Sequence, residues 1–289
     1  MWLAQAFGSA LFAGLTSITA KLGIRETDSD VATALRTCVV LAFAWLMAAI
    51  TGDVAAIGRV APASWLFLVL SGLATGASWL CYFKALALGP VSRVVVVDKL
   101  SVVLTMLLAL VLFSEPIDGW GALGIVLIAG GTVLMALKDK GDAGAADVAA
   151  GTDWVPFALA SAVFASLTAI LGKAGIEGVP SKLGTAIRTT VVLVMAWVVV
   201  GLRGKGPLMA ASPRSERGWI AVSGLATGAS WLCYWAAMQD GPASVVVPID
   251  KLSVLVAVAF SAAFLHERIG RRQAVGLALT VAGTLAMLL

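Results

Sequence analysis

Apolar residues run along the chain in ten long stretches separated by short polar breaks. The first half holds five, roughly Trp2 to Leu22, Val31 to Ile50, Trp65 to Leu88, Ser92 to Phe113 and Gly119 to Leu137. Five more follow, roughly Trp154 to Ala174, Leu183 to Leu202, Trp219 to Met238, Ser244 to Leu265 and Gly270 to Leu289. A bilayer core of about 30 Å takes about 20 apolar residues to cross as a helix, so each stretch is a candidate span. Backbone facing lipid must satisfy its own hydrogen bonds, which makes every one of them a helix. The pattern therefore predicts an all-α integral membrane protein. The breaks carry turn formers such as Gly89-Pro90, Gly241-Pro242 and Glu115-Pro116. The longest, Lys138 to Asp153, reads KDKGDAGAADVAAGTD. Its charges and its glycine and alanine content suit a solvated linker and exclude a span.

The two sets of five are copies. Ser71 to Tyr82, SGLATGASWLCY, returns letter for letter at Ser223 to Tyr234, and the pentapeptide DKLSV stands at both Asp98 to Val102 and Asp250 to Val254. The offset is 152 throughout: Lys21 matches Lys173, Arg36 matches Arg188, Trp45 matches Trp197 and Glu115 matches Glu267. The domains are thus a first repeat over 1–137, the linker over 138–153 and a second repeat over 154–289.

Parity then sets orientation. Each repeat has an odd number of spans and the linker does not cross, so the second repeat sits upside down relative to the first, as in many transporters. Basic residues agree. On the face opposite the N-terminus lie Lys21, Arg25, Arg93, Lys138, Lys140, Arg203, Lys205, Arg214, Arg217, Arg268, Arg271 and Arg272; the other face holds little beyond Arg59, Lys173 and Lys182. The positive-inside rule makes the first face cytoplasmic and places both termini outside. The copies differ most where orientation requires it, since Arg25, Lys84 and Arg93 become Glu177, Ala236 and Val245, while Thr51 and Asp53 become Arg203 and Lys205. Asp30 against Lys182 and Arg59 against Ala211 run the other way.

Composition fits a multi-pass protein of the cell's inner, or plasma, membrane. Of 289 residues 60% are hydrophobic and 12% charged, about half the charged share of a soluble domain. The net charge of +4 is expected to face anionic lipid rather than nucleic acid. Cys38, Cys81 and Cys233 sit within apolar spans as small hydrophobes. The N-terminal stretch lacks a basic region before its apolar run and is counted as the first span rather than a signal peptide. No nucleophile elbow, metalloprotease or phosphate-loop motif is present, and one histidine, His266, leaves no room for a histidine metal site. The expectation is no enzyme, no cofactor and no metal.

Candidate chemistry lies in charged residues inside spans, which are costly there and mark functional sites by default. Arg36 and Arg188 stand a few residues into spans two and seven; Asp98-Lys99 and Asp250-Lys251 stand about a third of the way into spans four and nine. With Lys21 and Lys173 they form two mirrored clusters, read as charge-paired gates or proton sites. A plainer reading is that each aspartate only neutralises a nearby cation. Pro248, opposite Val96, is expected to loosen span nine just before Asp250. In spans three and eight, Gly72 with Gly76 and Gly224 with Gly228 form small-residue edges for close packing. Thr75, Trp79 and Tyr82, like Thr227, Trp231 and Tyr234, share one face at i, i+4 and i+7, with Ser78 and Ser230 beside them. That face is a candidate substrate wall; the alternative is an interfacial aromatic belt.

Three motifs together resemble one family. They are Gly72 to Tyr82 in the third span, Ala243 to Ser253 opening the ninth, and the pairs Glu115-Pro116 and Glu267-Arg268 ahead of spans five and ten. This pattern is similar to the EamA family of the drug/metabolite transporter superfamily, and the chain resembles two single-repeat, five-span members fused together. The resemblance implies a secondary transporter working by alternating access on a small organic metabolite or drug. Export is the expected direction and protons are the candidate coupling ion. It implies a central cavity lined by spans one to four and six to nine, with five and ten peripheral. The partners expected are the lipid bilayer, a small-molecule substrate and protons, and no nucleic acid. The first copy reads Val96-Val97 where the second reads Pro248-Ile249, a departure from symmetry in the two DK sites. The competing readings are a non-transporting membrane scaffold or an engineered or reconstructed fused-repeat protein, and, more remotely, a channel.

Overall fold

A computed structural model describes residues 1–23, 26–88, 91–136, 153–256, 259 and 271–289. The side chains of Lys21, Asp98 and Lys99, the linker over 138–152 and the loop carrying His266 and Glu267 lie outside the described residues. Among the described residues ten principal helices follow one another: α1 (Trp2–Gly23), α2 (Ser29–Ile50), α3 (Pro62–Leu88), α4 (Val91–Leu112), α5 (Gly119–Ala136), α6 (Val155–Gly175), α7 (Ser181–Leu202), α8 (Arg214–Asp240), α9 (Ala243–Lys251) and α10 (Arg271–Ala286). A 3-10 helix (Asp53–Arg59) follows α2, and a single turn (Leu208–Ala211) follows α7. No strand occurs among the described residues.

The 152-residue offset extends to the helix ends: α2 and α7, and likewise α3 and α8, start and stop at equivalent positions. Local chemistry explains one such stop. Gly52 and Gly204, equivalent residues just past α2 and α7, adopt left-handed backbone with φ of 76° and 64°, a conformation that costs glycine nothing. Each donates its N–H back to the last helical turn, Gly52 to Ala49 and Gly204 to Gly201, both at 3.0 Å.

Among the described residues, six helices are long and apolar enough to cross a membrane, over Trp2–Ala20, Ser29–Ile50, Pro62–Tyr82, Val155–Gly175, Ser181–Leu202 and Arg214–Asp240. Among the described residues, Leu100–Leu112, Gly119–Leu134 and Ala274–Ala286 are shorter apolar stretches within α4, α5 and α10. In the second copy Pro248 lies inside α9, where it donates no hydrogen bond and crowds the preceding turn. Helix α9 ends at Lys251, Leu252 turns, and helix resumes over 253–256; the break follows Asp250 instead of preceding it. Leu46, Ile50, Leu66, Val111, Val126, Val194, Leu202 and Val275 are exposed, an outer surface that suits lipid better than water.

The principal contacts pair helices across the repeats. α1 packs on α8 as α6 packs on α3, α4 on α6 as α9 on α1, and α2 on α8 as α7 on α3, while α2 meets α7, α4 meets α9 and α5 meets α10. The duplicated stretch makes two of these contacts close. A Cβ on Gly72 would lie 2.6 Å from Val191 Cβ and 3.2 Å from the Arg188 carbonyl; one on Gly224 would lie 2.7 Å from Val39 Cβ and 3.0 Å from the Arg36 carbonyl. These glycines let α3 and α8 lie against α7 and α2 beside the two intramembrane arginines.

Candidate functional site

Helices from both repeats, α1, α4, α6, α7, α8 and α9, enclose a cavity of about 260 Å³. Arg188 reaches it from two turns inside α7 and is only 4% exposed. Its Nε donates to Ser71 Oγ at 2.9 Å and its Nη2 to Thr75 Oγ1 at 2.8 Å. The approach at Gly72 brings these two hydroxyls of α3 within reach. Ser71 passes the chain on by donating to the Thr168 carbonyl at 2.7 Å. Indoles cover the guanidinium, with the ring centre of Trp235 at 4.7 Å and that of Trp231 at 5.3 Å, within cation–π range. Among the described residues Arg188 makes no ion pair.

Asp250 and Lys251 lie on the same cavity. Asp250 accepts from Ser9 Oγ at 2.6 Å and from Lys251 Nζ at 3.3 Å. Ser9 also meets Ser230, which donates to the Ser9 carbonyl at 3.1 Å. The aspartate is thus held by α1 and by its own neighbour.

The duplicated wall residues are treated unequally. Ser230, Trp231 and Tyr234 line the cavity. Thr227 instead donates to Thr16 Oγ1 at 3.3 Å and to the Ser223 carbonyl at 2.7 Å, in the contact of α8 with α1. In the first copy Thr75 reaches the site through Arg188 and through the Thr168 hydroxyl 3.3 Å away, and Ser78 donates to the Ser161 carbonyl at 3.1 Å in the buried contact of α3 with α6. Trp79 packs with Val31, Ala34, Ala196 and Val200, and Tyr82 with Ala85, Val94, Trp154 and Ala158. Sequence reasoning did not select Ser9, Ser101, Thr105, Thr168 or Trp235. The last had a signal, since Trp235 stands opposite Phe83 directly after the identical stretch ends.

Arg36 lines a separate cavity of about 230 Å³ with Ala20, Ser29, Ala32, Thr33, Ile220 and Ser223. Ser223 is the equivalent of Ser71, so each arginine keeps the same serine neighbour, in two different pockets.

Lys173 stands apart from both cavities. Its ammonium donates to the Gly241 carbonyl at 2.6 Å, pairs with Glu115 at 3.2 Å and lies 5.3 Å from the Phe113 ring centre. Glu115 caps α9 across the repeat boundary, accepting from the N–H groups of Ala243 and Ser244 at 2.7 and 2.9 Å. Burial would push its carboxyl up, but the Ser244 and Ala243 hydrogen bonds and the Lys173 charge outweigh it and hold it below the usual carboxylate range. A carboxyl with a lowered folded value adds stability above its unfolded value and loses it as pH falls through the folded one. Glu115→Gln is therefore expected to lower the thermal midpoint at neutral pH and to match the parent protein well below pH 4.5, as read by thermal denaturation across pH.

On the opposite loops, Asp30, with a side chain 1% exposed, accepts from Arg203 Nη1 at 2.9 Å and Lys205 Nζ at 2.6 Å. Lys205 also reaches Asp28 at 2.7 Å. Glu216, at the start of α8, accepts from the N–H groups of Glu26 and Thr27 at 2.9 and 2.8 Å and from the Thr27 hydroxyl at 2.6 Å. The loop before α2 is thereby tied to α7 and α8. The equivalents of Asp30 and Lys205 are Lys182 and Asp53, with the charges exchanged. Those two make no ion pair with one another.

Comparison with known proteins gives three findings. The sequence profile described as the EamA-like transporter family matches residues 1–137 and 152–289 separately. A protein of Sinorhizobium sp named "Uncharacterized transporter in cobO 3'region" is 43% identical over 136 residues, which cover 47% of this chain and 96% of that protein. That relative is the size of one repeat. A solved crystal structure aligns over 98% of this chain and 94% of its own, with a TM-score of 0.72 and 19% identity; the likeness carries the fold alone.

Proposed function

The chain belongs to the EamA-like transporter family, and from that premise we propose that it is a secondary transporter moving a small organic solute by alternating access. It is a multi-pass membrane protein. The observation that carries the proposal is the cavity holding Arg188, Asp250 and Lys251 between helices of both repeats. A scaffold has no use for three charged side chains around a space inside the membrane, where each is costly. The cross-repeat pairing of helices and the matching of one repeat to a whole relative support two five-helix units of opposite orientation, and the basic residues on the face opposite the N-terminus favour both termini outside.

The two faces are unequal, which supports alternation. Asp30 closes on Arg203 and Lys205 at one face, while the charge-exchanged pair Lys182 and Asp53 stays apart at the other. In the proposed cycle the second pair forms as the first breaks, the repeats rock, and the cavity of Arg36 opens as that of Arg188 shuts. Asp250 is the candidate proton carrier on the cavity and Asp98 its equivalent; the direction is export.

Proteoliposomes with an imposed pH gradient test the coupling. Asp250→Asn is expected to abolish gradient-driven flux while leaving exchange at equal pH. Gradient-driven flux that survives both Asp250→Asn and Asp98→Asn would show that neither aspartate carries the proton.

A further inference from the structure

We infer that the Arg188 cavity takes a small organic anion, held by its carboxylate on Arg188 with its carbon skeleton against the aromatic wall. The inference deepens the transporter reading and rests on this cavity being the transport site. The described charged groups on the cavity are Arg188 and Lys251, positive, and Asp250, negative, leaving one net positive charge, and Tyr234 adds a phenol. Asp250 and Lys251 pair with each other. The unmatched charge is therefore that of Arg188, the most buried of the three.

A guanidinium 4% exposed and without an anion among the described residues is an expensive group to keep. The serine, threonine and indole contacts orient it but neutralise nothing. They take the Nε–H and one of the two N–H groups of Nη2, so the second N–H of Nη2 and those of Nη1 remain as a free edge of the fork. A carboxylate meets a guanidinium in plane through two parallel N–H···O bonds, a match that neutral groups and cations lack. A cationic ligand would have to approach the net positive lining, which discriminates against it by like-charge repulsion.

The rest of the lining sets size and shape. Trp231, Tyr234 and Trp235 supply flat apolar surface, while Ser101, Thr105 and Thr168 supply hydroxyls on the side of α4 and α6. A cavity of about 260 Å³ falls below the range of about 300 to 1,000 Å³ of pockets for drug-sized ligands. The fitting class is a small monocarboxylate with a compact or singly aromatic skeleton.

The test uses the full chain in detergent and in proteoliposomes with three probes of similar size that share one aromatic skeleton: phenylacetate, phenethylamine and phenethyl alcohol. Phenylacetate at 100 times its Kd is expected to raise the thermal midpoint by on the order of 5 °C. The amine and the alcohol should not raise it, and Arg188→Gln should abolish the shift while the protein keeps its helical circular dichroism. In liposomes phenylacetate should exchange and the other two should not. If amine or alcohol binds and moves while phenylacetate does neither, the anion inference fails and the transporter reading stands. If phenylacetate binds through Arg188 but nothing moves, the inference stands and the transporter reading fails. If no probe binds or moves, both are overturned.

Discussion

Arg188→Gln is expected to reduce transport at least about 100-fold while changing the thermal midpoint of the unliganded protein by only a few degrees. Hydrogen bonds to charged groups contribute about 1.5 to 3 kcal/mol each, and a bidentate contact with a carboxylate supplies two. Losing both takes away about 3 to 6 kcal/mol of ligand binding on that scale. Stability moves differently, because a buried cation without a counter-ion is itself a cost, and glutamine relieves it while retaining a donor for Ser71 or Thr75. An arginine kept only for structure would give the reverse, a large fall in midpoint with transport following stability. Arg188→Lys is expected to fall between parent and glutamine, since it keeps the charge and loses the planar fork. Exchange flux and thermal denaturation on the same three preparations separate these outcomes.

Breaking the Asp30 contact is the second large effect. The Asp30 side chain is almost wholly buried, whereas Arg203 and Lys205 are 32% and 26% exposed. Removing one partner of a buried ion pair costs about 3 to 5 kcal/mol; half-solvated cations bring this to about 1 to 3 kcal/mol. Asp30→Lys is expected to go further, placing three cations together, and to lose both stability and flux. The chain itself suggests the rescue. The other face already carries Lys182, Thr51 and Asp53 at the positions of Asp30, Arg203 and Lys205. The triple variant Asp30→Lys, Arg203→Thr, Lys205→Asp is expected to recover most of the stability lost by Asp30→Lys, measured by thermal denaturation. A triple variant no more stable than Asp30→Lys alone would show that the two faces do not use equivalent contacts.

Much of the architecture was legible because both halves repeat one register. The apolar pattern located the helices, and equivalent residues such as Gly52 and Gly204 stop equivalent helices. The turn at Leu252, which parts α9 from the helix over 253–256, was less legible, because the apolar run continues across it. The charged residues were found from their cost in a membrane, but their grouping was not. Symmetry placed Lys173 with Arg188, whereas it sits with Glu115, since only packing decides which neighbour a long side chain reaches. Symmetry also gave Trp79 and Trp231 one role. One conformation of an alternating pair is asymmetric by nature, so Trp231 lines the cavity while Trp79 packs against α2 and α7. The exchange of Asp30 for Lys182 looked like an exception to the charge rule and became intelligible once Lys205, opposite Asp53, stood beside Asp30.

Thiol labelling from each side of the membrane tests alternation most directly. In a background with Cys38, Cys81 and Cys233 replaced by serine, one variant carries Thr105→Cys on the Arg188 cavity and another Thr33→Cys on the Arg36 cavity. A membrane-impermeant reagent is then applied to right-side-out and to inside-out vesicles. The account predicts that Thr105→Cys reacts from the outer side and Thr33→Cys from the cytoplasmic side, and that adding Asp30→Ala slows the first and speeds the second. Reaction of both cysteines from the same side, or rates unmoved by Asp30→Ala, would contradict it.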